Sequence, residues 1–425
     1  NDVFMNDSKI VNQVLSTSRQ QNSGRGGDIN IGGENLEIYG GDVLDPTNST
    51  SLLIRTRGEG NGEGGNININ IVDRILLEET TIEGRTQNGG DIGNISIHST
   101  NGNIILRESN LSHTSTEFAD GNVGPLSITS TNGSIEFING AISLDSNGNG
   151  NAGTFSTRTD EGNILFDNYD ILNRTFQKGN GSDILIQANN GEISFLRDSN
   201  VFAVTSGSGT GGNIEVIADG DILVDSSRLS ARPDSTGLAG DILVESNQGN
   251  IIFSNDVTLS TFVIGEGDTG DATIRAKLGN ISLENGVFST DAFGNGNAGK
   301  LVLEANNGGI SLSNFFVNNT TFRAGEGGDI FFVSPHGSIS LDDSTVITVN
   351  RKSGNGGVID FRAGNQINLE NSRLLSSSSS ELQETIDTQI NGDGGNIRLQ
   401  ASLILIEEES RLDSSTLGSG LGGNI

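Results

Sequence analysis

The chain has 425 residues, of which 61 are Gly and none is Cys or Trp, and its formal net charge is −30. A balance of 54 acidic to 24 basic residues argues against binding to nucleic acid or to an anionic membrane, because either partner requires a basic face. Without Cys there is no disulfide framework, thiolate metal site or cysteine nucleophile. No run of about 18 apolar residues is present that would span a bilayer. Only 32% of the residues are hydrophobic, so a folded core requires that they be placed with strict economy.

A repeated pattern runs along the chain. A pair of small residues is followed by a polar residue and then by alternating apolar residues, as in Gly211-Gly212-Asn213-Ile214-Glu215-Val216. We call the second small residue of each pair the anchor. The interval between anchors is 28–31 residues in most copies and 38 in two, which is typical of a solenoid. The anchors fall at positions 27, 65, 93, 124, 153, 182, 212, 240, 270, 299, 328, 357, 395 and 423.

Three apolar/polar alternations follow each anchor, and a period of two is typical of β-strands. The first is illustrated by Leu301/Leu303, the second by Ile251/Phe253, and the third by Ser227-Arg228-Leu229-Ser230. No stretch has an apolar stripe with the 3.6-residue period of a helix. We therefore predict an all-β fold, a right-handed parallel β-helix of about 13–14 coils of about 29 residues with three short strands per coil.

The repeat also predicts the domain organisation. Ordering about 29 residues costs at least as much free energy as burying about six side chains provides, so one coil depends on its neighbours. We expect a single continuous β-helix over residues 1–425 that forms a rod, with partial coils at both ends. The two 38-residue intervals predict longer loop insertions near 45–63 and 376–393. We expect the chain to be an excerpt of a longer rod; stacking of protomers end to end is the alternative.

A Gly precedes the second strand in most coils, and several coils have Asn-Gly there. Because both residue types tolerate positive φ, we predict a tight left-handed corner at this point. The Asn-Gly pairs are Asn101-Gly102, Asn132-Gly133, Asn190-Gly191 and Asn307-Gly308.

The consensus is small-Gly-(Asp/Asn)-Ile-x-Ile, then Gly-x-Ile-x-Leu, then Ser-x-(Ile/Leu)-x-Ser and a Gly-Asn-rich loop. It resembles the repeat region of filamentous-haemagglutinin-like two-partner-secretion exoproteins, and is most similar to the versions common in cyanobacteria. The resemblance covers nearly all of residues 24–425. It implies export through an outer-membrane secretion transporter and a β-helical fibre at the cell surface.

The residue after the anchor is Asp or Asn in ten of fourteen copies, which predicts a ladder of side chains along one edge of the stack. In the favoured interpretation these side chains accept backbone N–H groups and fix the corner. In the other, neighbouring carboxylates such as Asp241 and Asp271 share a cation such as Ca²⁺, which prefers oxygen ligands. The ten residues are Asp28, Asn66, Asn94, Asp183, Asn213, Asp241, Asp271, Asp329, Asn396 and Asn424.

Other candidate sites give weaker signals. The segment 145–150 matches the first half of an EF-hand loop, but Ser156 stands where the twelfth-position Glu is required. Lyases and hydrolases of polysaccharides need clustered carboxylates or a basic residue, commonly beside aromatic platforms. Lys is scarce, Tyr39 and Tyr169 are the only Tyr residues, and the three His residues fall at unrelated positions of the repeat: His98, His113 and His336. Most of the Phe residues occupy inward positions and are expected in the core, for example Phe137, Phe166, Phe195 and Phe253.

We therefore predict no catalytic, cofactor-binding or metal-binding residues and no enzymatic activity. The expected function is that of a secreted, cell-surface structural or adhesive fibre, a rigid rod for attachment, matrix building or filament formation. Its expected partners are the secretion transporter, other surface or matrix components, and other copies of itself joined end to end or laterally. A carbohydrate-active β-helix enzyme and a self-stacking homopolymeric extracellular filament subunit are the alternatives.

Overall fold

The computed structural model describes residues 1–6, 8–16, 25–40, 51–58, 63–87, 89–117, 119–234, 236–378, 392–416 and 420–425. These residues form β-strands and turns, and no helix occurs among them. Their strands pair in parallel and stack as a β-solenoid of about 12 turns with roughly 29 residues per turn. The predicted fold class is confirmed. The number of turns is lower than the 13–14 predicted, because the anchors counted in the sequence include the partial coils at both ends.

By its contacts the chain divides into two compact units, Asn1–Asn213 and Ile214–Ile425. Each unit is a stack of turns, and a complete turn has a first, a second and a third strand, named in chain order from the anchor. Within each unit the first strands form one parallel sheet, and the second and third strands belong to another. That residues 1–425 form one continuous β-helix stays a prediction.

The strands of the first unit have the following bounds. The first strands are Ile29–Gly33, Ile67–Ile71, Ile95–Ser99, Leu126–Ser130, Phe155–Thr159 and Ile184–Ala188. The second strands are Val3–Asn6, Leu36–Tyr39, Ile75–Glu78, Ile104–Arg107 and Ile193–Leu196. The third strands are Lys9–Ser16, Ser51–Gly58, Thr81–Thr86, Asn110–Ser115 and Asn200–Thr205. In two turns the second and third strands are continuous, at Ile135–Ser146 and Ile164–Thr175.

The second unit repeats this arrangement. Its first strands are Ile214–Ala218, Ile242–Ser246, Ala272–Ala276, Leu301–Ala305, Ile330–Ser334, Ile359–Ala363 and Ile397–Gln400. Its second strands are Ile222–Asp225, Ile251–Ser254, Ile339–Asp342, Gln366–Glu370 and Leu403–Glu407. Its third strands are Arg228–Pro233, Val257–Val263, Thr345–Asn350, Arg373–Ser377 and Arg411–Ser415. The continuous pairs are Ile281–Ala292 and Ile310–Thr321.

The register places each residue beside its counterpart in the next turn. Ile128, for example, lies between Ile97 of the preceding turn and Thr157 of the following turn. Since side chains alternate between the two faces of a strand, every second position faces the interior. A repeat in the sequence therefore becomes a column of side chains in the structure.

The interior contains columns of stacked aromatic rings. The ring centroids of Phe137 and Phe166 are 4.6 Å apart, and those of Phe166 and Phe195 are 4.9 Å apart, with nearly parallel planes. These residues and Phe253 are at most 1% exposed, which confirms them as core residues. The Tyr169 hydroxyl is also buried and donates a 2.9 Å hydrogen bond to the carbonyl oxygen of Ser109.

The corner before the second strand differs from the prediction. None of the four Gly residues of the Asn-Gly pairs has φ in the left-handed region. Glycine is required there for space, since a Cβ on Gly191 would collide with the carbonyl group of Gly162 in the preceding turn. The left-handed residue lies instead between the second and third strands, where Asn139 and Asn168 have φ of 52° and Asn285 has φ of 51°. Asn tolerates this conformation better than most residues, so the chain bends here with little strain.

The two predicted loop insertions are only partly described. Residues 51–58, which fall within the first of them, form a third strand that pairs with Lys9–Ser16 and Thr81–Thr86. In the second, residues 376 and 377 complete the third strand Arg373–Ser377. Residues 45–50, 59–62 and 379–391 of these insertions lie outside the described residues.

The close stacking at the anchors generates a prediction. A Cβ on the anchor Gly153 would overlap the carbonyl oxygen of Gly124 in the preceding turn. We expect Gly153→Ala to lower the free energy of unfolding by about 1–3 kcal/mol, the usual effect of overpacking. The measurement is the midpoint of thermal unfolding followed by circular dichroism.

Gly32→Ala is the matched control, because a Cβ there would lie 3.6 Å from its nearest neighbour, the carbonyl oxygen of Asn70. Its midpoint should stay unchanged or rise slightly, since Ala reduces the entropy of the unfolded chain. Equal midpoints for the two variants would contradict the steric role assigned to the anchor.

Candidate functional sites

The Asp or Asn after the anchor binds the next turn. In most copies its Oδ1 accepts a hydrogen bond from the backbone N–H of the corresponding residue one turn further on, and we call this series the anchor ladder. Asn94 is an exception, because its counterpart is Pro125, which has no N–H. The geometry agrees with the favoured interpretation, a structural role at the corner. The N···O distances are 2.8 Å for Asp28–Asn66, Asn66–Asn94, Asp241–Asp271, Asp271–Lys300 and Asp329–Val358, and 2.9 Å for Asp183–Asn213 and Asn396–Asn424.

This geometry also bears on the proposed cation. The Asp241 carboxylate receives the backbone N–H of Asp271, and the Asp271 carboxylate receives that of Lys300. Each carboxylate thus has a backbone hydrogen-bond donor in the next turn. Among the described residues, no group of three or more acidic or imidazole side chains is placed to hold a metal.

Two further ladders were missed in the sequence analysis. One is formed by the residue two positions before the anchor, and the other by the residue before the second strand. The ladder two positions before the anchor could have been found from the sequence, because Asp or Asn recurs at that position with the same period. Its members include Asp91, Asn122, Asn151, Asn180, Asp268, Asn297 and Asn355, with N···O distances of 2.7–3.1 Å. The second includes Asn103, Asn163, Asp221, Asn250 and Asn280, with distances of 2.6–2.9 Å.

The segment that resembles half of an EF-hand loop is engaged in other contacts. The Asp145 carboxylate forms a two-point ion pair with Arg174, at 2.8 Å to Nε and 2.6 Å to Nη2. The hydrogen bonds that the Arg174 guanidinium donates to Asp145 raise the pKa of that guanidinium. The Asn149 amide donates to the Asp120 carboxylate at 2.8 Å. The Asp145 carboxylate, which would be the first ligand of such a loop, is therefore already paired with Arg174 of the next turn.

The His and Tyr residues are not brought together. His98 lies on a first strand beside the Thr129 hydroxyl, and His336 contacts the carbonyl oxygen of Asn306. Tyr39 lies beside Glu37, and Tyr169 is in the core. The structure therefore places these residues at separate points, as their unrelated repeat positions indicate.

One His is fully buried. His113 lies on a third strand between Gly84 and Leu144 of the adjacent turns, and its ring fills the space beside the glycine. Neither ring nitrogen has a hydrogen bond of normal geometry within the described residues. Burial lowers the pKa of His113 to about 4, and the nearby carbonyl groups of Gly93 and Gly124 only partly oppose this effect.

The outer face of the third strands in the second unit carries aromatic residues that the sequence analysis did not single out. Phe293 stacks on Phe322 with centroids 4.4 Å apart and contacts Phe262 edge-on at 6.1 Å. Arg232 lies over Phe262 at 5.2 Å, and Arg351 lies over Phe322 at 4.3 Å. We call these five residues the aromatic ladder. Neighbouring rings or guanidinium groups lie over the ring faces, so the ladder is not an open platform on which a sugar stacks.

A buried carboxylate lies beside the aromatic ladder. Asp291 is 9% exposed, and its Oδ1 accepts the Thr320 N–H at 2.9 Å, while its Oδ1 and Oδ2 lie 2.7 and 2.9 Å from the Asn318 amide nitrogen. Burial raises the pKa of Asp291 to about 7, and Arg351 partly opposes that shift. A carboxyl group that exchanges its proton near neutral pH is a candidate general acid. Glycoside hydrolysis requires a pair of carboxyl groups. The groups that act on Asp291 in the described structure are an amide, a hydroxyl, a backbone N–H and a guanidinium, and none of them is a second carboxyl group.

Shallow cavities occur along the corners of the turns. One of about 450 Å³ in the second unit is lined by Asn255, Asp256, Asn285, Gly286, Val287 and Asn314. One of about 250 Å³ in the first unit is lined by Ser134, Glu136, Asn163, Ile164, Leu165, Glu192 and Ser194. Both are bordered mainly by ladder and corner residues, whose amide and carboxylate groups bind adjacent turns.

No family model and no curated protein matches this chain. Nor do the described residues include a helix long and apolar enough to cross a membrane. The assignment of function therefore depends on the geometry above and on the resemblance of the repeat.

The anchor ladder generates a prediction about charge. Because Asp329 Oδ1 accepts the Val358 N–H at 2.8 Å, the ladder needs the side-chain oxygen and not its charge. We expect Asp329→Asn to leave stability within about 0.5 kcal/mol of the natural chain, and Asp329→Ala to lower it by about 1–2 kcal/mol. Unfolding midpoints measured with Ca²⁺ and with EDTA check both expectations. A Ca²⁺-dependent midpoint that Asp329→Asn abolishes would favour the cation interpretation instead.

The buried imidazole generates a prediction about acid stability. The folded pKa of His113 is about 4 and its ordinary value is 6.5, so the unfolded chain binds a proton that the folded chain does not. The contribution of His113 is fully present above about pH 6.5 and falls by about 3 kcal/mol as the pH drops to 4. The interior column that contains His113 already holds an Asn two turns further on. This residue is Asn173, whose amide donates to the Gly153 carbonyl at 2.8 Å.

We therefore expect His113→Asn to flatten the decline of the unfolding midpoint between pH 6.5 and pH 4. His98→Asn is the control and should leave the slope unchanged. An unaltered slope in His113→Asn would show that His113 does not govern acid stability.

Proposed function

We propose that this chain is part of a secreted, cell-surface fibre protein with a structural or adhesive role. The observation that carries the proposal is the bonding between turns. Side-chain ladders at the corners join successive turns within the units, in addition to the strand pairing, and the interior is filled mainly with apolar side chains. In such a fold, additional turns extend the protein without a new core design.

The outer surface supports the same role. Acidic residues are in large excess, and many ion pairs, such as Arg275 between Glu245 and Glu304, join successive turns along the surface. Exposed ion pairs contribute little stability individually. A surface of this composition stays hydrated and keeps the protein soluble in the medium.

The resemblance to filamentous-haemagglutinin-like exoproteins supplies the cellular context of the proposal. It supports export through an outer-membrane transporter and display at the cell surface. Attachment, matrix building and filament formation by end-to-end stacking of copies all agree with a fold that gains length by adding turns.

A carbohydrate-active enzyme is the second candidate, and Asp291 is the observation that favours it. Its pKa of about 7 suits proton transfer near neutral pH. Two observations argue against an enzyme. The groups around Asp291 are an amide, a hydroxyl, a backbone N–H and a guanidinium, and guanidinium groups cover ring faces of the aromatic ladder.

Surface labelling tests the proposal. Antibodies raised against the purified chain should label intact cells of the producing organism, and brief protease treatment of those cells should remove the label. A cytoplasmic protein serves as the control and should be labelled only after permeabilisation. Labelling of this chain only in permeabilised cells would contradict the proposed location.

A degradation assay separates the enzyme from the scaffold. We expect the purified chain to leave a panel of soluble polysaccharides, acidic and neutral, at their original chain length. Turnover that is lost in Asp291→Asn and kept in Asp329→Asn would overturn the structural role in favour of the enzyme.

A further inference from the structure

The aromatic ladder leaves an apolar surface in contact with water. Phe293 is 40% exposed, and Ile264, which lies beside it in the preceding turn, is 52% exposed. Phe322 covers one face of the Phe293 ring, so the exposed part of this ring includes its edge, which carries the positive end of the quadrupole. Together with Arg232 and Arg351, this face is apolar and positive in a chain whose net charge is −30.

Arg351 carries one of the positive charges of this face. Its guanidinium is half-buried, and its Nε has no hydrogen-bond partner within the described residues. Burial lowers the pKa of Arg351, which shows that the loss of water is not fully compensated. Asp291, whose charge acts on Arg351, is protonated for part of the time near neutral pH. An additional carboxylate would therefore stabilise this cation.

The same unit presents carboxylates that repel one another. Asp342, Glu370 and Glu407 occupy equivalent positions at the ends of three successive second strands, so they lie side by side. Asp343 and Glu408 are the residues directly after Asp342 and Glu407, and each has φ in the left-handed region. These neighbours raise the pKa of Glu370, as expected for like charges directly opposite each other. We call these five residues the acidic column.

We propose that the aromatic ladder of one copy of this chain binds the acidic column of a second copy. The contact would remove the exposed ring edge and aliphatic side chains from water and place carboxylates beside the half-buried guanidinium. It would also relieve the repulsion within the acidic column. This inference rests on the proposed structural role, because lateral contact between copies is how fibres become bundles.

The two surfaces lie on different strands, so a contact that joins one ladder to one acidic column is heterologous. A copy that uses its ladder still has a free acidic column, and the association continues without closing into a dimer. The expected product is an open series of copies whose size rises with concentration.

Sedimentation velocity of the purified chain tests the proposal. We expect concentration-dependent association that weakens as ionic strength rises, since the surface charges are screened within about 10 Å at 0.1 M salt. Arg351→Glu and Glu370→Arg should each weaken association at least tenfold. Lys300→Glu and Glu215→Arg change the net charge by the same amounts at exposed positions, the first directly before a first strand and the second on one, and they should associate like the natural chain.

Mixing the variants gives the decisive result. Arg351→Glu retains the acidic column and Glu370→Arg retains the ladder, and the two substituted positions are also opposite in charge, so an equimolar mixture should recover the open association that neither variant shows alone. A chain with both substitutions should recover open association, because the charges are exchanged. Thermal unfolding verifies that each variant is folded, and Glu370→Arg should melt no lower than the natural chain because it relieves repulsion.

Three outcomes would overturn the inference: a natural chain that stays monomeric, association unaffected by Arg351→Glu, or equal losses in the charge-matched controls. Binding of the ladder to a free acidic peptide without self-association would assign the face to another protein. Surface labelling is independent of these results, so failure of this contact and failure of the proposed location are distinguishable.

Discussion

The structure depends on one constraint: each residue lies directly beside its counterpart about 29 positions away. Backbone pairing imposes this neighbour relation along every strand, and the corners extend it through side-chain oxygens that accept N–H groups of the next turn. The same constraint selects Gly at the anchors, because a Cβ there would meet a carbonyl group of the turn before it. It also permits stacked Phe rings inside and forces like charges together outside, as at Glu370.

Much of the fold could be predicted from the sequence because this constraint leaves a periodic trace. The period, the three alternations and inward residues such as Phe137 and Phe253 follow from it. The corner between the second and third strands was harder to predict. Its left-handed residue is Asn in some turns, but Glu108, Arg197 or Ser226 in others, so residue type alone does not mark it. The role of the Asn-Gly glycines was misassigned because a steric requirement between turns looks the same in sequence as a requirement for positive φ.

The candidate sites were less predictable, since each depends on departures from the repeat. His113 is buried because Gly84, one turn away, leaves room for its ring. Asp291 is buried between a Phe and a Thr of adjacent turns, at a position where the third strand faces outward. A single turn contains no information about such neighbours. The anchor ladder could be predicted, because its donors and acceptors occupy the same position in most turns.

The ladders also bear on how genes for such proteins change length. A hydrogen bond between equivalent positions does not depend on which two turns are joined, provided that the register is kept. Recombination that removes or duplicates one whole turn therefore creates a new junction with matching acceptors, such as Asn151 facing the N–H of Asn180. Loss of a single residue within a strand instead exchanges its inner and outer faces. Selection should therefore tolerate repeat-sized changes of length far more readily than small ones in the strands.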